Sequence, residues 1–152
     1  MLFRSAADDW ATQYFPGCFS SYSATNVYAT TLAAARASNQ FVSFTAEPSR
    51  GQVVSLSSLT IQAGFSHESG AQTALFYSLD GTTFTQALTV TGTPNTEAGL
   101  TYDLSGIAAL QNASRRITFR FYQFGVGVYT AVAIGNRSGS IDMRLQGSMK
   151  AV

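Results

Sequence analysis

Past residue 40, apolar and polar residues alternate along most of this chain. Phe41-Val42-Ser43-Phe44-Thr45-Ala46 stops at Glu47-Pro48. Val53-Val54-Ser55-Leu56-Ser57-Ser58-Leu59-Thr60-Ile61 follows Gly51, and Tyr77-Ser78-Leu79 breaks at Asp80-Gly81 before Thr82-Thr83-Phe84. A period of two sends successive side chains to opposite faces, so one face can be buried while the other is wetted. Pro lacks the backbone donor a strand needs, and Asp-Gly tolerates the positive φ of tight turns. The pattern predicts strands near 40–46, 53–65, 72–79, 84–91, 99–103, 115–123, 129–134 and 139–147. Asn26 to Leu32 also alternates and is expected to be a strand.

Two short helical turns interrupt this pattern. Ala33 to Asn39 is long enough for one. Ser105 to Leu110 suits another, with Leu104, Ile107 and Leu110 pointing inward. No internal repeat, linker or shift of composition divides the chain. Residues 26–152 are expected to form the sandwich domain, and 1–25 a poorly defined N-terminal arm or first strand. About eight strands with a helical turn on a crossover imply an all-β fold, an antiparallel jelly-roll β-sandwich with one short helical turn.

Composition narrows the partners. Only 11% of the 152 residues are charged, against a usual share of about a quarter. The formal net charge is +1, and Lys150 is the only lysine. Nucleic acid needs a phosphate-neutralising patch, and none is present, so no nucleic-acid partner is expected. Arg115, Arg116 and Arg120 form the nearest approach to a basic cluster and read as a solvated strand face. Cys18 is the only cysteine, which excludes an intrachain disulfide and a thiolate cluster. No run of about 18 apolar residues suits a transmembrane helix. Met1 to Trp10 lacks the apolar core of a signal peptide.

Candidate chemistry is sparse. His67-Glu68 could supply a general base or one metal ligand, but a lone histidine in a loop is more simply an exposed residue. Cys18 and His67 could pair as thiol and imidazole, yet the Gly17-Cys18-Phe19 context suits a small buried residue. The carboxylates Asp80, Glu97, Asp103 and Asp142 are scattered. Asp80 and Asp142 are the candidate ligands for a structural Ca²⁺, held with backbone carbonyls, although Asp80 is more simply a turn residue. No carboxylate pair is marked out for glycoside hydrolysis, and no catalytic residue is assigned. Asn112-Ala113-Ser114 and Asn136-Arg137-Ser138 match the glycosylation sequon and read as turns.

The aromatics are more telling. Tyr14, Phe15, Tyr22, Tyr28, Tyr122, Phe124 and Tyr129 exceed what one small core needs. Exposed aromatic rings can stack on sugar rings, and Trp10, Tyr14 and Tyr22 are the candidate ligand-binding residues. The plainer reading is that most fill strand faces, where aromatics are favoured.

Five phrases recur in order: Phe41-x-Ser43-Phe44-Thr45-x-x-Pro48; Val54-Ser55-Leu56-Ser57-Ser58-Leu59; and Tyr77-Ser78-Leu79-Asp80-Gly81 with Phe84. Tyr102-Asp103-Leu104-Ser105 then leads to Ile117-Thr118-Phe119-Arg120-Phe121-Tyr122, and Ala133-Ile134-Gly135-Asn136-x-Ser138-Gly139 ends near Leu145-Gln146-Gly147. Over roughly residues 24–149 this order resembles the β-sandwich ectodomains of bacterial exported proteins that carry PEP-CTERM-type sorting tails. The resemblance implies a secreted or cell-surface module without established catalysis. Leader and sorting tail are expected to lie outside this chain.

The expected function is therefore that of a non-catalytic exported module for surface or matrix attachment or glycan binding, with polysaccharide as the expected partner. The alternatives are a glycan-active hydrolase or lyase on the same scaffold, and a structural subunit that self-associates through edge strands. A cleft with converging ionisable groups would favour the enzyme.

Overall fold

The computed structural model describes residues 3–5, 19–20, 29–39, 41–65, 72–91, 97–125, 132–134 and 143–152. Its strands are β1 (Phe3–Ser5), β2 (Phe19–Ser20), β3 (Phe41–Ala46), β4 (Gln52–Phe65), β5 (Gln72–Ser78) and β6 (Thr85–Thr91). They continue as β7 (Glu97–Asp103), β8 (Ile117–Phe124), β9 (Val132–Ile134) and β10 (Met143–Ala151). Among the described residues, the α-helix α1 (Leu32–Ala37) precedes β3, and a 3-10 turn spans Ala108–Leu110. One sheet has the order β1-β3-β8-β5-β6. The other runs β10-β4-β9-β2, with β7 on the opposite side of β4. All pairings are antiparallel. The two sheets form the expected jelly-roll β-sandwich.

Alternation selects the core. Val42 and Phe44 of β3 pair in register with Phe121 and Phe119 of β8, and all four are buried. Phe44 and Phe119 stack at 4.9 Å with 16° between their planes. The second sheet contributes Leu56, Leu59, Ile61 and Tyr102 to the same cluster. Leu56 and Leu59 lie three apart, out of step with a period of two. A bulge reconciles them: Gln146 pairs with Ser58 and Gly147 with Leu56, so Ser57 is the extra residue. Leu104 and Leu110 are fully buried and Ile107 packs beside them, as their spacing predicts. The Gln111 amide fastens this crossover, donating to the Leu56 carbonyl at 3.0 Å and the Leu104 carbonyl at 3.2 Å.

The segment expected as a strand at 26–32 is corrected over its described part. Residues 29–31 form no strand, and Leu32 opens α1. Thr31 stays extended and caps the helix, accepting from the Ala34 N–H at 3.2 Å. Leu-Ala-Ala-Ala-Arg-Ala then follows, rich in strong helix formers. Ser38 Oγ donates back to the Ala34 carbonyl at 2.7 Å, and Asn39 ends the helix in the left-handed region at φ 54. Residues 26–28 lie outside the described residues.

This helix matters because of where it packs. The Gly125 N–H donates to the Ala29 carbonyl at 3.1 Å, tying the approach to α1 to the end of β8. Ala35 is fully buried in a second, smaller core with Ala74, Phe76 and Tyr122. The outer face of the first sheet is therefore covered along β5 and β8, and β5 is buried on both faces.

Candidate functional site

The outer face of β8 presents Thr118, Arg120, Tyr122 and Phe124, opposite the core-facing Phe119 and Phe121. Cross-strand register sets Phe41 of β3 beside Tyr122, and Phe76 of β5 beside Arg120. Where α1 ends, an open groove of about 470 Å³ remains above this face. Ala33, Arg36 and Asn39 line it from the helix side, and Thr82, Phe84, Arg120 and Tyr122 from the sheet side.

Arg120 is the central group. Its guanidinium lies 4.1 Å from the Phe41 ring centroid and 3.7 Å from that of Phe84. Both rings make attractive cation–π contacts with it. One terminal N–H group reaches the Tyr122 hydroxyl at 3.4 Å, a long contact, and the buried Nε has no hydrogen-bond partner. Arg36, on exposed helix surface, sets its guanidinium 5.0 Å above the Phe76 ring. Tyr122 meets Phe76 edge-on at 5.2 Å and Phe41 at 5.6 Å, so its ring is packed and its orientation fixed. The solvated-face reading of Arg115, Arg116 and Arg120 thus needs correction for Arg120. It holds for Arg116, which makes an exposed ion pair with Glu47 at 2.9 Å.

The turn that delivers Phe84 is built on Asp80. Its Oδ1 accepts from the Thr82 and Thr83 N–H groups at 2.7 Å each and from Ser78 Oγ at 2.8 Å. Gly81 follows at φ 78, a conformation that favours glycine. The Thr83 N–H, with those of Thr82 and the Ser78 hydroxyl, holds the Asp80 carboxyl well below the usual carboxylate range. Asp80 is thus a turn-organising residue. Asp103 does similar work at 2.9 Å and 2.7 Å from the Ser105 N–H and Oγ, with its carboxyl likewise lowered.

The depressed Asp80 value has a definite sign. Protonation is harder in the folded state, so the carboxylate stabilises the fold above the unfolded value of about 3.9. That contribution is lost as pH falls below about 4 toward the lower folded value. Asp80→Asn keeps an acceptor but cannot titrate. Urea midpoints at pH 5 and pH 2.5 should therefore drop further for the wild type than for Asp80→Asn. Equal drops would remove Asp80 as a source of acid sensitivity.

Of the other sequence candidates, Trp10, Tyr14, Tyr22 and Asp142 lie outside the described residues, as do Cys18, His67, Phe15, Tyr28, Tyr129 and Asn136. Among the described residues, no three His, Cys, Asp or Glu side chains gather as a metal site. Asn112 sits in a turn at φ 54, as expected. The groove residues Arg36, Asn39, Phe84 and Arg120 were not among the sequence-based site candidates. The available signal was the outward face of one strand carrying Arg120, Tyr122 and Phe124 together, too aromatic to be simply wet.

No family model matches the chain, and no curated protein matches it. Among solved structures it is similar to TmCBM61 in complex with β-1,4-galactotriose, at 15% identity and a TM-score of 0.46. The match covers 71% of this chain and 62% of that one, so it spans less than two thirds of that protein's length.

Proposed function

We propose that this β-sandwich is a non-catalytic glycan-binding module and that the groove between α1 and β8 holds the saccharide. The observation that carries this is the composition of the groove. The Phe84 ring stands beside side-chain donors (Arg36, Asn39, Arg120) in one open depression, with the buried Tyr122 beneath them. Sugars are bound by that combination: C–H faces pack on rings, and hydroxyls receive directed hydrogen bonds. Among the described residues, the lining has no carboxylate, histidine or cysteine. Guanidinium groups are hydrogen-bond donors without acceptor atoms, so they suit binding and orienting of ligand oxygens. This disfavours the hydrolase or lyase alternative at this site. Display at a cell surface or in a matrix is supported by the sequence resemblance alone.

A glycan array probed with wild type, Phe84→Ala and Trp10→Ala/Tyr14→Ala, with and without Ca²⁺, tests the assignment. Binding that falls about tenfold or more in Phe84→Ala and persists in the double variant places the saccharide in the groove. The opposite result moves the site to the aromatic N-terminal segment. Loss on removing Ca²⁺ moves it to the acidic loops. No binding at all rejects the glycan reading.

A further inference from the structure

We infer that the groove selects saccharides bearing an anionic group, a carboxylate or a sulfate, with Arg120 and Arg36 as its receptors. This rests on the glycan-binding reading and specifies the ligand class of the same site. Two positive side chains face one groove, and among the described residues its lining contains no acidic residue. Among the described residues neither is ion-paired; the one salt bridge joins Arg116 to Glu47. Asp80 lies two residues from Thr82 of the lining, but its Oδ1 is engaged by the turn donors and it pairs with neither arginine.

The state of Arg120 is the stronger argument. Half-buried charge is ordinarily paired, because taking it from water costs more than neutral burial does. Phe41 and Phe84 compensate part of that cost through their contact with the guanidinium, but neither carries a countercharge. Its N–H groups remain: the buried Nε is unpartnered and a terminal nitrogen has only the long Tyr122 contact. Because Nε is buried, the terminal nitrogens are the donors this guanidinium can offer to the groove. Two parallel in-plane N–H bonds are the geometry that carboxylate oxygens accept, and two sulfate oxygens can accept them as well. Neutral hydroxyls would satisfy the donors without neutralising the charge. Arg36, held over Phe76, adds a second positive group at the open side.

The test is binding of the whole chain to three polymers by calorimetry at fixed ionic strength. Polygalacturonate supplies carboxylates, its fully methyl-esterified form supplies the same backbone uncharged, and dextran sulfate supplies sulfates. Polygalacturonate or dextran sulfate should bind at least about tenfold more tightly than the methyl ester, since hydrogen bonds to charged groups are the stronger class. Whichever anionic polymer shows that margin identifies the source. Arg36→Gln, on exposed helix surface, should remove most of the margin without unfolding risk. Arg120→Lys, which keeps the charge but not the fork, should also remove it. Arg144→Gln, at an exposed position on β10, should leave it intact. Equal affinity for charged and esterified polymers, with Phe84→Ala still abolishing binding, would overturn the anionic preference and preserve the glycan site. Equal losses in Arg144→Gln and Arg36→Gln would reduce the effect to general charge attraction and overturn the proposal. Failure of every polymer and every array glycan would instead reject the glycan reading beneath it.

Discussion

Phe119→Ala should destabilise the fold by about 3–5 kcal/mol, among the larger effects open to a single core substitution. Phe119 is fully buried on β8, the strand between β3 and β5 in the first sheet. It faces Phe44 directly in register and stacks on it at 4.9 Å. Truncation would remove the transfer free energy of the ring and leave a cavity with strand backbone on both sides. Paired strands cannot collapse inward without breaking ladder hydrogen bonds, which holds the cost near the upper part of the range. The lost ring pair adds a fraction of the total. Urea unfolding should show a lower midpoint with an unchanged slope. Leu88→Ala, on the mostly exposed β6, is the control and should stay within about 1 kcal/mol of wild type. A Phe119→Ala loss below about 1 kcal/mol would mean that the two sheets do not pack through the Phe44–Phe119 pair.

That strand also shows what local pattern can and cannot reveal. Alternation through Ile117, Phe119 and Phe121 was enough to place one face in the core. It gave no means of knowing what covers the other face. An outward arginine on a strand is ordinarily solvated, so Arg120 read as surface. A tertiary fact decides otherwise: a six-residue helix remote in sequence packs over β8, and Phe84 arrives from the Asp80-Gly81 turn. The turn itself was legible, because Asp and Gly each have a local reason to be there. The helix was half legible. Ala33 to Asn39 suggests it, but alternation through Leu32 extends the preceding strand too far, past the Thr31 cap that starts the helix. The β4 bulge was written in the sequence as Leu56-Ser57-Ser58-Leu59, a three-residue step between apolar positions. Its location became plain only once the partner register on β10 was known. Convergence of Arg36 and Asn39 with Phe84 and Arg120 has no sequence signature, since the helix end, the turn before β6 and β8 are joined only by packing.

The same bulge predicts the second large effect. Gly147→Ala should cost about 3 kcal/mol, the upper end of what overpacking usually costs. Gly147 sits opposite Leu56, next to the irregularity that brings both Leu56 and Leu59 into the core. A Cβ added there would collide with the Ser55 carbonyl oxygen and lie 3.1 Å from the Leu56 Cα. Both obstacles are backbone, so no side chain can rotate away. Relief requires β10 to separate from β4 or the bulge to shift by one residue. A shift would turn Leu56 or Leu59 out of the core, because each step of register reverses a side chain's face. Gly106→Ala is the matched control: its added Cβ meets nothing within 4 Å, and its cost should stay within about 1 kcal/mol. Hydrogen exchange should show the Gly147→Ala loss as weakened protection along the β4–β10 ladder, while the β3–β8 ladder keeps its local protection. The groove lies on the first sheet, so saccharide affinity of the folded Gly147→Ala protein should match wild type at low temperature. A substitution cost below about 1 kcal/mol would show that the bulge relocates freely. Loss of affinity without unfolding would instead reveal coupling between the two sheets through the shared Leu56–Leu59–Phe119 core.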